Sequence, residues 1–335
     1  MGAGGIGVIV FGATGAVGRD LLGAMPSSEL PIGEVRLVGS RHTLEDSIEA
    51  FGEQQRIHRM PEALHGSPLL EGMDLAIFAT PPEISSQYVP QVAEEGLGTI
   101  EIGGALAGQV PIGVVGVSDY TNGFIDSRVV SSPSGPTVGL SHVLAPLWRI
   151  GATSCRGTVL LSAGIAGKAG MTELGDQILA SYSGAEPPRE SFPSGLAFDL
   201  VSQVGQLQDG WTAVERRIGL ETAGVLGCDP DSIELTAVLV PTFAGIGFSI
   251  HVELEGISDI EDVVSVLEES PTLRVGDPVP GPRRLVGHSK VHVGRFRIDS
   301  ARRGFHLWAS MDNLRAGAST NVIEIARHLW KEGLL

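Results

Sequence analysis

The run Ile6-Gly7-Val8-Ile9-Val10-Phe11, followed at once by Gly12-Ala13-Thr14-Gly15-Ala16-Val17-Gly18, constrains this chain more than any other segment. An unbroken apolar run fits a strand buried on both faces of a parallel sheet. The glycines behind it then have separate roles. Gly12 permits a tight turn, Gly15 lets the backbone approach a phosphate, and Gly18 lets a helix pack on the sheet. Strand, glycine turn and helix N-terminus, in that order, form an anion-binding site for a dinucleotide. Its candidate contacts are Gly12, Thr14, Gly15, Ala16 and Val17. Gly2-Ala3-Gly4-Gly5-Ile6-Gly7 also spells the glycine pattern, but it precedes the strand and cannot cradle a pyrophosphate.

Residues 34–38, 73–79 and 98–102 read as further strands, and residues 85–95 as a helix. Strands alternating with helical stretches predict a doubly wound α/β domain. Beyond Pro133 the pattern changes. Residues 156–163, 232–242 and 247–255 read as longer strands, and 260–269 as an amphipathic helix before Pro271. The apolar strands 232–242 and 247–255 are expected to need cover on both faces. A length of 335 residues fits this two-part reading, at about 100–200 residues per domain.

A nicotinamide enzyme that prefers NAD usually carries Asp or Glu at the end of its second strand. Here the chain reads Gly39-Ser40-Arg41-His42. The Ser40 hydroxyl and the Arg41 guanidinium suit a 2′-phosphate, so the expected cofactor is NADP.

Charge and composition exclude other classes. A net charge of −16 repels nucleic-acid backbones. The two cysteines, Cys155 and Cys228, are too few for a disulfide framework or a zinc cluster. No Lys or Arg precedes Arg19, so a secretory n-region is not expected. The uncharged stretch 129–148 is broken by prolines and hydroxyls and does not read as a membrane span. The expectation is a cytoplasmic protein with no metal, membrane or nucleic-acid partner.

Several segments together resemble the aspartate-semialdehyde dehydrogenase family. They are the glycine turn with Ser40-Arg41, Ser162-Ala163-Gly164-Ile165-Ala166-Gly167, and Phe192-Pro193 with Leu196-Ala197-Phe198-Asp199-Leu200. Val240-Pro241-Thr242-Phe243, Val293-Gly294-Arg295-Phe296-Arg297 and Asp312-Asn313-Leu314-Arg315-Ala316-Gly317-Ala318 also have counterparts. The resemblance implies a Rossmann-type domain over residues 1–132 with a C-terminal helix 313–335. It implies an α+β substrate and dimerisation domain of the semialdehyde dehydrogenase type over 133–312. It further implies a homodimer, and adds Gly164 and Asn313 to the cofactor contacts.

Those enzymes use a thiolate nucleophile, a His acid/base, an Arg that clamps the substrate carboxylate and a Gln that orients the aldehyde. A covalent thiohemiacetal gives hydride to NADP, and phosphate attacks the thioester. In this chain the matching positions are Gly135, Ile246, Leu239 and Leu161. The phosphate-binding Arg has no counterpart in residues 103–108. Two polar relics, Glu215 and Arg217, align with the family's Glu and Lys near the substrate. Without the thiol they are expected to form a surface or interface ion pair. Ile102-Gly103-Gly104-Ala105-Leu106, Val143-Leu144-Ala145-Pro146-Leu147 and Glu215-Arg216-Arg217-Ile218 resemble the divergent Usg branch.

Three functions compete on these residues: a dimeric binding or regulatory pseudoenzyme, an oxidoreductase using direct hydride transfer on another substrate, and an active dehydrogenase with a relocated nucleophile. The cleft has lost polar groups and gained none, which favours the first. Pro81-Pro82 also removes N–H donors from a turn that meets the cofactor in the family.

Overall fold

The computed structural model describes residues 5–44, 46–256 and 259–335, so Gly2, Ala3 and Gly4 of the discarded glycine pattern lie outside the described residues. The chain divides into two compact units, Met1–Ser134 with Ala318–Leu335, and Gly135–Gly317.

The first unit contains β1 (Ile6–Phe11), α1 (Ala16–Ala24), β2 (Ile32–Gly39), β3 (Ser47–Ala50), β4 (Glu53–Arg59) and β5 (Leu75–Phe78). It continues with α2 (Pro82–Glu94), β6 (Gly98–Ile102), α3 (Thr121–Ser127) and β7 (Val129–Ser132). Its seven-stranded sheet has the order β3-β4-β2-β1-β5-β6-β7. β1 pairs in parallel with β2 and β5. All six of its residues are buried. Val8 and Val10 pack into one core with Leu21 and Ile325, whereas Ile9 and Phe11 pack into another with Tyr88 and Val89. That two-sided burial is why the strand is apolar throughout. Each such side chain contributes about 1.5–3 kcal/mol by leaving water.

The edge hairpin β3–β4 was not read from the sequence, where residues 73–79 count as the third strand. Its residues are largely polar because an edge strand has a solvated face, and charge there discourages further pairing. Phe51 and Gly52 turn the hairpin with positive φ at both positions (57° and 79°).

The second unit contains α4 (Gly135–Arg149), β8 (Ser154–Leu161), α5 (Gly167–Ser183), β9 (Leu207–Gln208), β10 (Trp211–Thr212) and α6 (Ala213–Leu226). There follow β11 (Ile233–Leu239), β12 (Ile246–Glu253), α7 (Ile260–Glu268), β13 (Leu273–Val275), β14 (Val291–Ile298) and β15 (Gly304–Met311). Its six-stranded mixed sheet has the order β11-β8-β12-β15-β14-β13. A doubly wound sheet plus an α+β unit is thus the fold, as the sequence predicts.

Strands 232–242 and 247–255 are not apolar on both faces. β11 and β12 alternate, with Leu235, Ala237, Phe248 and Ile250 in the core and Glu234, Thr236, Ser249 and His251 on the other face. Within the chain the apolar face packs against elements that include α4 and α6. The last helix is α8 (Thr320–Lys331), shorter than the expected helix 313–335 because residues 315–319 form a wider helical turn and residues 332–335 leave the helix. Asn321 ties α8 into the first unit. Its amide donates to the Gly113 carbonyl at 2.8 Å and to Ser132 Oγ at 2.9 Å.

Candidate functional site

In the first unit the glycine turn joins β1 to α1. Gly12 has φ +80°, and a Cβ there would lie 2.2 Å from the Ala79 carbonyl oxygen. At Gly18 a Cβ would lie 2.3 Å from the Gly12 carbonyl oxygen. Only glycine fits either place. Gly15 is the extended N-cap of α1, with no side-chain cap and no acidic residue in the first turn. The N–H groups of Ala16 and Val17 belong to the first turn, where no intrahelical carbonyl reaches them, with the helix dipole behind them. This cradle fits a dinucleotide pyrophosphate. Thr14 borders it, and its carbonyl accepts from Arg19 Nε at 3.0 Å.

Ser40 and Arg41 follow β2, both exposed. Ser40 Oγ accepts the His42 N–H at 3.3 Å. Arg41 Nη2 donates to the Tyr88 hydroxyl at 2.8 Å and to the Pro61 carbonyl at 3.2 Å. Tyr88 is a buried residue of α2 that sequence reading missed. Pro81 and Pro82 are the N-cap and first residue of α2, where a missing N–H costs the helix little.

The loop after β6 turns on Glu101. Its buried carboxylate accepts the Gly104 and Ala105 N–H groups, each at 3.1 Å, and the Ser131 hydroxyl at 2.8 Å.

In the second unit, Leu161 pairs with Leu239 across the parallel β8–β11 ladder and with Ile246 across the antiparallel β8–β12 ladder. Ile246 in turn pairs with Met311 of β15. These residues are 2%, 6%, 3% and 0% exposed and belong to one hydrophobic core. Three of the four sequence-predicted family positions are therefore direct cross-strand neighbours, with no polar side chain among them. Gly135 opens α4, where a Cβ would lie 3.1 Å from the Asn313 carbonyl oxygen. Gly164 and Asn313 come together. The Asn313 amide nitrogen lies 3.3 Å from where a Gly164 Cβ would stand, and Asn313 Oδ1 accepts the Gly245 N–H at 2.7 Å.

Glu215 and Arg217 do not pair with each other, which corrects the expected ion pair. Glu215 closes a capping box on α6, accepting the Thr212 N–H at 2.8 Å and the Ala237 N–H at 3.0 Å. Threonine followed three residues later by glutamate was the legible signal for it. Arg217 Nε donates to Glu221 at 2.8 Å, one helical turn on. Glu221 also accepts from the Thr137 hydroxyl at 2.8 Å and so links α6 to α4.

Cys155 lies inside β8 rather than ahead of it, and burial pushes its thiol up to about 12. His142, in α4, is pulled down to about 4 by desolvation. His288 precedes β14, which starts at Val291, and its ring meets that of His292 edge-on at 5.7 Å. Among the described residues, no group of three or more His, Cys, Asp and Glu could hold a metal. Among those residues, no helix is long and apolar enough to cross a membrane.

Comparison with known proteins places this geometry. Residues 7–121 match the family model described as semialdehyde dehydrogenase, NAD binding domain. Residues 144–316 match that described as semialdehyde dehydrogenase, dimerisation domain. Aspartate-semialdehyde dehydrogenase of Rickettsia bellii is 30% identical, over 97% of each chain. A USG-1 protein homolog of Azotobacter vinelandii is 29% identical, over 98% of each chain. The crystal structure of Vibrio cholerae aspartate semialdehyde dehydrogenase II complexed with ASA superposes with a TM-score of 0.92 at 28% identity, covering 98% of this chain and 99% of that one. The chain belongs to the semialdehyde dehydrogenase family and is a homologue of the aspartate-semialdehyde dehydrogenases.

Proposed function

We propose that this chain is a homodimeric, NADP-binding family member that does not oxidise aspartate semialdehyde through a thioester. The observation that carries this reading is the apolar row Leu239–Leu161–Ile246. A leucine cannot clamp a carboxylate or orient an aldehyde, and an isoleucine cannot move a proton. Gly135 offers no atom to attack a carbonyl, and a hydroxyl or thiol needs an adjacent base to become a strong nucleophile. Catalytic groups act as a unit, and loss of a nucleophile or its base alone costs on the order of 10⁶ in kcat. The Glu101 carboxylate takes the N–H groups of a loop that carries no arginine, which opposes binding of a phosphate co-substrate.

The cofactor reading rests on the open N-terminus of α1 and on Arg41. Gly12, Gly15, Ala16 and Val17 would hold the pyrophosphate, and Ser40 and Arg41 the 2′-phosphate. Bound NADP supplies hydride-transfer chemistry. The dimer reading rests on the polar-to-mixed sheet face that carries Thr158, Ser249 and Trp308 in register. Obligate interfaces of this kind bury roughly 2,000 Å² or more.

Purified chain assayed with phosphate, NADP and aspartate semialdehyde is expected to show no turnover above background, while a parallel titration shows NADP binding. Turnover that vanishes on changing Cys155 or Cys228 would instead establish a relocated nucleophile.

A further inference from the structure

Leu239 borders a second feature of its unit, an open cleft of about 710 Å³ between the turn 163–166 and the segment 191–205. Its size falls within the range of small-molecule sites, about 300–1,000 Å³. Ile165, Phe192, Val201 and Leu239 supply apolar surface, and Ser202 and Gln203 supply hydroxyl and amide groups. Among the described residues lining it there is no Asp, Glu, Lys, Arg or His.

The wall of this cleft is built, although it has almost no regular structure. Glu173 of α5 accepts the N–H groups of Ser191 and Phe192, and Gln177 accepts those of Leu196 and Ala197. The Gln177 amide also donates to the Pro188 carbonyl at 2.9 Å. Both side chains are buried. Val201 then bridges Leu239 in both directions, with N–H to carbonyl distances of 3.0 and 2.9 Å. Between these anchors Phe198 has φ +62°, a backbone conformation that aromatic residues rarely adopt. The segment that walls the cleft thus holds a strained turn, and such strain persists where the surroundings over-determine it.

We propose that this cleft binds an uncharged, largely apolar small molecule that carries a hydroxyl or amide group. A charged ligand would lose hydration on entering and meet no counter-charge among the lining residues. An apolar body would cover Phe192, Val201 and Leu239, while Ser202 and Gln203 would pair its polar group. The inference rests on the reading of Leu239 as a position that clamps no carboxylate, and it names the ligand class that replaces an acidic substrate.

The test compares two fluorescent probes of one skeleton, uncharged N-phenyl-1-naphthylamine and its anionic relative 8-anilinonaphthalene-1-sulfonate. Salt at about 0.5 M screens the chain's net negative charge. Wild type is expected to bind the uncharged probe once per chain, and more tightly than the anion by about ten-fold or more. Leu200→Arg places a guanidinium at the exposed rim, where folding is not at risk, and is expected to shift preference toward the anion. Ser202→Trp fills the mouth and is expected to abolish binding of the uncharged probe. Equal affinity for both probes overturns the proposal. So does uncharged-probe binding that neither variant alters. Semialdehyde turnover in wild type, measured separately, would overturn the catalytic reading without deciding the probe result.

Discussion

The guanidinium of Arg41 donates to the hydroxyl of Tyr88 at 2.8 Å, joining the loop after β2 to the buried face of α2. Nη2 is engaged by this contact and by the Pro61 carbonyl. The arginine is therefore oriented before any ligand arrives, which reduces the entropy lost when it grips an anion. A charge-assisted hydrogen bond of this type contributes about 1.5–3 kcal/mol. Arg41→Ala is expected to weaken NADP binding by about ten-fold or more and leave NAD binding unchanged. Tyr88→Phe is expected to lower NADP affinity less, and to have no further effect once Arg41 is Ala. Titration calorimetry with both cofactors checks this, and equal losses for NAD and NADP would refute it.

Restoring catalytic residues singly is expected to yield no dehydrogenase. Gly135→Cys alone lacks its base and substrate clamp, and its Cβ must fit 3.1 Å from the Asn313 carbonyl. Turnover is expected only when Gly135→Cys, Leu161→Gln, Leu239→Arg and Ile246→His are combined. A single variant with measurable phosphate-dependent NADPH formation would contradict the argument.

Leu161→Gln by itself reports on packing. Leu161 sits between Leu239 and Ile246 in the core, so the amide displaces apolar contacts and has no partner designed for it. The expected loss of stability is about 2–4 kcal/mol, read from urea unfolding.

Glu215→Ala removes the acceptor for two buried N–H groups, those of Thr212 and Ala237. A destabilisation of about 1–3 kcal/mol is expected. If Glu215 were a relic of substrate binding rather than a helix cap, the urea midpoint would not move.

Asp299 accepts from His251 Nε2 at 2.9 Å, and this hydrogen bond holds its carboxyl below the usual range. A carboxyl depressed in the folded state stabilises above its unfolded pKa, about 3.9, and that contribution is lost as pH falls through the folded value. Stability measured between about pH 5 and pH 2 should therefore decline less steeply in Asp299→Asn than in wild type. Identical acid limbs would exclude the pairing.

The sequence alone determined those features that depend on local backbone chemistry. β1, the glycine turn and α1 were legible because a both-face-buried strand must be apolar, and because Gly12 and Gly18 stand where any Cβ would strike a carbonyl oxygen. The identities at 135, 161, 239 and 246 were legible as residue types against the family pattern. Tertiary structure decided what those types touch. Only the strand register sets Leu161 between Leu239 and Ile246, since Leu161 is far from both along the chain. Only packing moves Glu215 from the expected partnership with Arg217 to the N-terminus of α6, and gives Arg217 to Glu221. Tyr88 beneath Arg41, and the cleft held open by Glu173 and Gln177, leave no motif in the sequence. Hydrogen bonds between residues distant in sequence depend on where the backbone brings them, and no local pattern records that.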